Sequence, residues 1–599
     1  MAKKTLSSWL NGYVKDDISE AKSLVSIDVS GSVTAGSNSK TYVRVTGAIK
    51  RVTSALGFTT LRAWGVFLLA LGLMSVILNL SMGYANNTAS DMSVVIVGAV
   101  ISILGIFLVP FDRAASVSFA ELTLTDYIFF EFFSLRRAQK KEGERGIPVF
   151  ILFIFGIALG TLSLAVPLWV IVSVLGGILY LILGFSSPEF SFFVTFLSLP
   201  YLSFIKDTYL VIAVLVGVSA LSFARKVFVG KRVYHIEQYD ILIFLFLIPV
   251  LISGIFRGGA ESFRGALMTV VFALGYVLSS SLVTNRRLAD RTVFSVVLSA
   301  IPLSVYVIVE AAVAIAEGGL SGFTGVSGSF STPDDLAVFL LVAGILTLYI
   351  VVSTSHVGVF FLYLGLFTVI QAALIATLCV WALVAQTFAL IAYGVLKLRR
   401  FTRVLLVVLC LAPYALMFLP ASWLGFLEGV PMISSLDLGA FIERWQISLR
   451  LFLDNILLGI GIGPECFGSA SAEYGVALGF DNSGSFLLQI GLESGVFALV
   501  LFVLIFAVLL RHQSSYRHYV KHSSVRYFVA FTLVTLVTLF VFGAFEYIWD
   551  DAVSGYLFWC VLGVCTAALR ISKHDYDDRV GYFSDVRSYD SSAIDIDIE

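Results

Sequence analysis

GIGIGPECFGSASAEYGVALGFDNSGSFLLQIGLESG, residues 459–495, begins with glycines at alternate positions, crosses a polar stretch and turns apolar around Glu493. The apolar run continues through FALVLFVLIFAVLL to Arg511. A polar segment carrying Glu465, Glu473 and Asp481 thus stands just ahead of a stretch long enough to cross a bilayer, which takes about 20 helical residues. Upstream lies FIERWQISLRLFLDNIL, whose apolar residues recur at three and four, the spacing of an amphipathic helix lying on a membrane face. The glycines between the two permit tight backbone turns.

The rest of the chain repeats the apolar theme. Of its 599 residues, 58% are hydrophobic and 13% charged, and the mean hydropathy is +0.95. A soluble core could not bury so much apolar side chain. In lipid every backbone N–H and C=O must pair internally, so helices are expected; the runs lack the alternating polarity of barrel strands. The fold class is therefore all-α, a polytopic integral membrane protein of about 14–16 transmembrane helices with one large extracytoplasmic loop. Sixteen spans are expected, near 63–82, 93–110, 148–166, 168–186, 189–205, 208–224, 240–256, 265–284, 292–315, 336–353, 357–375, 378–396, 404–421, 486–510, 527–545 and 554–570. Two divisions rest on little: Pro167 alone separates one pair, and the run 357–396 must be cut near Ala376.

Charge orients these spans. Cytoplasmic loops should carry the Lys and Arg. With the N-terminus inside, RRAQKKEGER, RKVFVGKR, NRRLADR, KLRRFTR and RHQSSYRHYVKH all fall inside, and of the 39 basic residues only Lys206, Arg257, Arg264, Arg444 and Arg450 fall outside. The expected plan is a cytoplasmic segment 1–61, N-terminal spans with a basic loop over 62–186, a transmembrane core 187–421, an outer loop 422–485, C-terminal spans 486–570 and an acidic cytoplasmic tail 571–599. The tail, short of large aliphatics, reads as disordered. The location is the cytoplasmic membrane, with both termini inside. The five cysteines fit neither a metal site nor a disulfide framework and read as packing residues.

Outward charges need a reason, because charge near a bilayer is costly. Arg257 and Arg264 flank Glu261 and a glycine pair in FRGGAESFRGA, a composition suited to an anionic group such as a diphosphate; interface snorkelling is the alternative. Arg444, beside Trp445, is open to either role, and Arg450 reads as a helix ion-pair partner. Glu310 and Glu493 lie within spans and invite functional hypotheses, though either could pair across helices. Asp550 and Asp551 in FEYIWDDAVSG read as solvated. All six histidines map to the cytoplasmic side, so an outward site would need a carboxylate base: Asp481, Glu473 or Glu465. For each of these the alternative is a solvated loop acid. No P-loop, zinc motif or nucleophile elbow occurs.

Three stretches resemble one known family. RWQISLRLFLDNILLGIGIG through ECFGSASAEYG to SFLLQIGLESGVFALVLF, GSFSTPDDLAVFLL at 328–341 and EYIWDDAVSGYLFWCVLGVCTA together resemble the O-antigen ligase and polymerase superfamily over roughly 257–570. The resemblance implies a polytopic transferase that passes a polyprenyl-diphosphate-linked glycan to a glycan or lipid acceptor on the outer face, without metal, other cofactor or nucleic acid. Arg257, Arg264 and Arg444 would bind the diphosphate, Arg264 foremost. Asp481, with Glu473 in reserve, would be the base. The sequence departs from the family in three places: DNSGS at 481–485 lacks the usual histidine, TLCVW at 377–381 replaces a usual Ser-Arg, and the arginine near the tryptophan is adjacent to it as Arg444. Polymerase chemistry, a carboxylate base or a diverged member remain open, as do two other classes: a flippase for lipid-linked oligosaccharide and a non-catalytic envelope scaffold.

Overall fold

The structure is a computed structural model that describes residues 47, 51–85, 92–121, 125–133, 135, 146–205, 207–228, 238–318, 323, 325–354, 356–396, 438–472, 481–516 and 523–593. Among the described residues there is no strand, and eleven helices are long and apolar enough to cross a membrane. Three shorter apolar helices, Val94–Leu108, Val149–Leu162 and Val380–Tyr393, accompany them. The chain divides into two compact units. Among the described residues, one holds 47–194 and 217–228; the other holds 195–216 and 238–593.

In chain order the helices are α1 (Leu61–Ala85), α2 (Met92–Leu108), α3 (Ala115–Glu121), α4 (Val149–Leu162), α5 (Leu168–Ser186), α6 (Pro188–Ser198), α7 (Thr208–Phe228), α8 (Gln238–Phe256) and α9 (Gly259–Leu282). They continue as α10 (Arg286–Gly318), α11 (Pro333–Ser353), α12 (Val357–Ala376), α13 (Val380–Leu396), α14 (Leu438–Asp454), α15 (Pro464–Ala472), α16 (Phe486–Tyr516), α17 (Ser523–Phe542) and α18 (Ala552–Ala593).

The first unit packs α1 against α2 and α4. Small residues set that approach: a Cβ on Gly72 would stand 2.4 Å from the Gly98 carbonyl oxygen, so the backbones touch where neither has a side chain. Pro167 separates α4 from α5, as the sequence suggests.

In the second unit α18 and α17 form the centre. The apolar part of α18 is wholly buried and α17 nearly so, whereas α12 turns most of its surface outward, as a lipid-facing helix must. Around α18 pack α9 and α17; α16 pairs with α8, and α13 with α17. The turn that cuts 357–396 falls after Ala376, with Leu378 at φ +53°, and α13 restarts at Val380. The start of α11 is capped: Thr332 Oγ1 accepts the Asp335 N–H at 3.2 Å and donates to Asp335 Oδ2 at 2.6 Å, with Pro333 in the first turn.

Two expectations are corrected. Residues 189–205 do not form a crossing helix. Prolines 188 and 200 punctuate the stretch, leaving an 11-residue α6 and a 3₁₀ turn over Leu199–Phe204. Eleven residues rise roughly 16 Å, about half a hydrocarbon core, and Phe192, Phe193 and Phe196 are buried. The tail, expected to be unstructured, continues α18 to Ala593; a helix extended from a packed segment needs no new nucleus, so weak propensity suffices. The expected span 404–421 and parts of the expected loop, 422–437 and 473–480 with Glu473, lie outside the described residues.

Candidate functional site

The GIGIG turn lies against a broken helix. α16 departs from helical geometry at Gly495, with φ +81° and ψ 177°. A break leaves carbonyls without their intrahelical donors, and these must be satisfied otherwise. Ile460 N–H donates to the Leu492 carbonyl at 2.8 Å and Gly461 N–H to the Glu493 carbonyl at 3.3 Å. The Ser253 hydroxyl of α8 donates to the same Glu493 carbonyl at 2.5 Å. Only glycine fits this close approach: a Cβ on Gly459, at φ +73°, would meet the Glu493 backbone at 2.5 Å, and one on Gly495 would meet the Leu457 carbonyl at 2.2 Å.

Glu493 is buried. Its Oε1 accepts from Gln489 Nε2 at 2.8 Å and from Gly463 N–H at 3.4 Å, and its Oε2 accepts from the Tyr547 hydroxyl at 3.1 Å. Gln489 Oε1 in turn accepts the Ser483 N–H at 2.8 Å.

Beside this network stands Arg444, also buried although it belongs to the amphipathic α14. Its Nε donates to the Asn482 carbonyl at 2.6 Å and its Nη2 to Asn482 Oδ1. The guanidinium fills the space that a side chain on Gly484 would take. Burial lowers the Arg444 pKa, opposed by the charges of Glu546, Asp550 and Asp481. Four separate segments meet here: the start of α11 at Asp334 and Asp335, α14, the 481–485 turn and the 543–551 connection.

The carboxylates of this meeting point are perturbed. Burial first, then the charge of Asp334, pushes Glu546 well above the usual carboxylate range, against the pull of Arg444. Asp550 is raised by withdrawal from water and by Asp481, while a hydrogen bond from Asn482 and the charge of Arg444 oppose the shift. Asp551 is pushed up to about 6 by burial, against hydrogen bonds from the Ser554 and Val553 amides. These amides lie 3.1 and 2.8 Å from its Oδ2, so Asp551 caps α18. Tyr209 donates to the Asp550 carbonyl at 2.9 Å and lies in electrostatic reach of Asp551, Asp550, Asp335 and Arg264. Aromatic rings floor the connection: Trp381 stacks on Phe545 with centroids 3.8 Å apart, and Phe486 and Trp549 meet edge to face at 4.9 Å.

The expected site residues sort into three groups. Arg444 and Asp481 come together, Asp481 being exposed. Arg257 and Arg264 are exposed at the α8–α9 junction, where Gly258 and Gly259 take φ of +71° and +67°. That junction is tied to the GIGIG turn by the Ile462 N–H donating to Ser262 Oγ at 2.8 Å. Glu310 lies apart, half-buried in α10; its Oε2 has no hydrogen-bond partner among the described residues. Sequence reasoning passes over Asp334, Asp335 and Glu546 and reads Asp550 and Asp551 as solvated; Asp550 is exposed, whereas Asp551 is half-buried. The signal was present, since acids stand at the mouth of a span in both PDDLAVFLL and EYIWDDAVSG. Among the described residues no group of three or more His, Cys, Asp or Glu side chains is placed to hold a metal ion.

Fold and site together define a multi-pass, all-helical membrane protein with a charged, partly buried cluster where several apolar helices end. No protein-family model matches the chain, and no curated protein matches it.

Proposed function

We propose that the protein is an extracytoplasmic glycosyltransferase, a polymerase or ligase, that uses a polyprenyl-diphosphate-linked glycan in the synthesis of a cell-surface polysaccharide. The observation that carries this reading is the meeting of Arg444, Asn482, Asp550 and Glu546. Two of the three stretches that resemble the ligase and polymerase superfamily supply these residues, Arg444 and Asn482 from one, Glu546 and Asp550 from the other. The cluster lies on the side that the basic loops assign to the outside.

The charges divide the work. A diphosphate would be repelled by the acids around Arg444, so the exposed Arg257 and Arg264 at the neighbouring lip are the better anion holders. The acids serve the acceptor. Its hydroxyl oxygen attacks the anomeric carbon, the bond from that carbon to the diphosphate oxygen breaks, and the lipid diphosphate leaves with the electron pair. The hydroxyl proton passes to a carboxylate. Asp550 is best suited, being exposed, held by Asn482 and raised in pKa, which makes it a stronger base than a free aspartate. Asp481 stands beside it. Glu546, raised further, is a hydrogen-bond donor in its protonated form.

The test is deletion of the gene, followed by analysis of surface glycan length and lipid-linked intermediates, together with transfer by purified protein. Shortened or absent glycan with outward-facing lipid-linked units accumulating supports the enzyme. Units accumulating on the inner face instead would favour a flippase, and unchanged glycan would remove both readings.

A further inference from the structure

Glu493 touches both halves of the site proposed above without belonging to either. On one side its carbonyl accepts from Ser253, four residues before Arg257, whose own N–H donates to the Ser253 carbonyl at 2.8 Å. The same carbonyl accepts from Gly461, and Oε1 from Gly463. Between those glycines Ile462 N–H is held by Ser262, two residues before Arg264. On the other side Oε2 accepts from Tyr547, next to Glu546, and Oε1 accepts from Gln489, which holds the Ser483 N–H next to Asn482. Asn482 then holds Arg444 and Asp550.

We infer that Glu493 is a positioning residue that sets the spacing between the arginine lip and the carboxylate cluster. The inference rests on the transferase reading for its consequence, but the coupling it asserts exists with or without transfer. The Gly495 break gives the residue its two-sided role. An unbroken helix would consume the Glu493 carbonyl internally, and the lip would lose its tie. A buried carboxylate with three donors is also a stiff junction, because releasing any donor leaves a polar group unpaired in an apolar surround. Displacement of reacting groups by about 1 Å can cost roughly a hundred-fold in rate, so a junction between two half-sites acts on turnover more than on binding.

Two experiments test this with the full-length protein in detergent. The first measures transfer by Glu493→Leu and Glu493→Gln, per folded molecule. Glutamine keeps an oxygen for Gln489 and Gly463 and can donate to the Tyr547 oxygen, so it should restore turnover to within about five-fold of the wild type. Leucine should lower kcat by at least about thirty-fold with KM for the lipid-linked glycan changed by less than about three-fold. Leucine with normal kcat in the folded fraction would overturn the inference. The second does not need activity. In unfolding by SDS, Ser253→Ala and Tyr547→Phe should be non-additive by about three-fold or more in the unfolding constant, and additive in a Glu493→Leu background. Additivity with Glu493 present would overturn it. A wild-type protein that shows this coupling but transfers no glycan would overturn the transferase reading and leave Glu493 as the junction.

Discussion

Arg444 Nε donates to the backbone carbonyl of Asn482 at 2.6 Å, across 38 residues of chain. The contact ties the amphipathic helix α14 to the turn that precedes α16. It also places the cation among Glu546, Asp550 and Asp481, the charges that resist its loss of a proton.

Arg444→Ala should abolish transfer. It removes the charge that counters the pKa rise of Glu546 and Asp550, so both should shift upward and more of each be protonated at neutral pH. Arg444→Lys keeps the charge but cannot reproduce the fork to Asn482, and should retain a partial rate with its pH profile moved to higher pH. The pH dependence of transfer by purified variants checks this; a wild-type profile for Arg444→Lys with full rate would contradict it.

Asp550→Asn should lower transfer by more than about a hundred-fold, the usual scale for loss of a general base. Asp481→Asn should cost far less. The wild-type rate should rise with pH through the Asp550 pKa, whose shift is upward, because the base works deprotonated. Equal losses in the two variants would make the pair, not Asp550, the base.

Asp551 gives a stability test. Its folded pKa, about 6, exceeds the ordinary 3.8, so the folded state holds the proton more firmly. Its contribution therefore destabilises above about pH 6, diminishes as pH falls from about 6 to about 4 and vanishes below. Asp551→Asn keeps an N-cap oxygen and loses the charge; its Tm should match or exceed the wild type at pH 7.5 and vary less between pH 4 and 7. Asp551→Ala also loses the cap, at a cost of about 1 kcal/mol. Thermal unfolding of the purified protein in detergent at several pH values measures both.

The helical class and most span positions were legible because apolar runs of membrane length admit few structures. Even the cut near Ala376 could be placed. The interruption at 188–204 was harder, since its residues are as apolar as a span and only Pro188 and Pro200 mark it. The site was half legible. Arg444 stood out as a cation on an arginine-poor face, but its burial depends on Gly484 and Asn482, which meet it only in the fold. Glu546 does not stand out in the sequence and Asp550 reads as a solvated acid, because Asp334 and Arg444, which act on them, are remote in sequence. No local pattern encodes such a convergence.

Gly495→Ala should be among the most damaging single changes outside the charged cluster. The residue sits at φ +81° and ψ 177°, a region essentially restricted to glycine, where an L side chain costs about 1–3 kcal/mol in strain alone. Its Cβ would also press on the Leu457 carbonyl at 2.2 Å, which is backbone and cannot rotate away. Gly459→Ala carries the same two costs. Gly468→Ala, with nothing within 4 Å of its Cβ, is the matched control. Monodisperse yield from membranes should fall sharply for the first two and hold for the third.

The last prediction concerns orientation, on which the proposed function depends. The helices that end at 256, 376 and 542 bring their connections to the end of the second unit that holds Arg444, whereas those at 282, 353 and 516 turn back at the other end. Basic residues of the second turns include Arg286, Arg287, Arg291 and Arg511, and the positive-inside rule puts them in the cytoplasm. Ser469 in α15 and Ser514 at the close of α16 sample the two ends. In a cysteine-free background, Ser469→Cys should react with an impermeant maleimide in intact cells, and Ser514→Cys should react only after permeabilisation. The reverse pattern would put the carboxylate cluster in the cytoplasm. Nucleotide-linked sugars are made there, so an outer-face transferase would be ruled out.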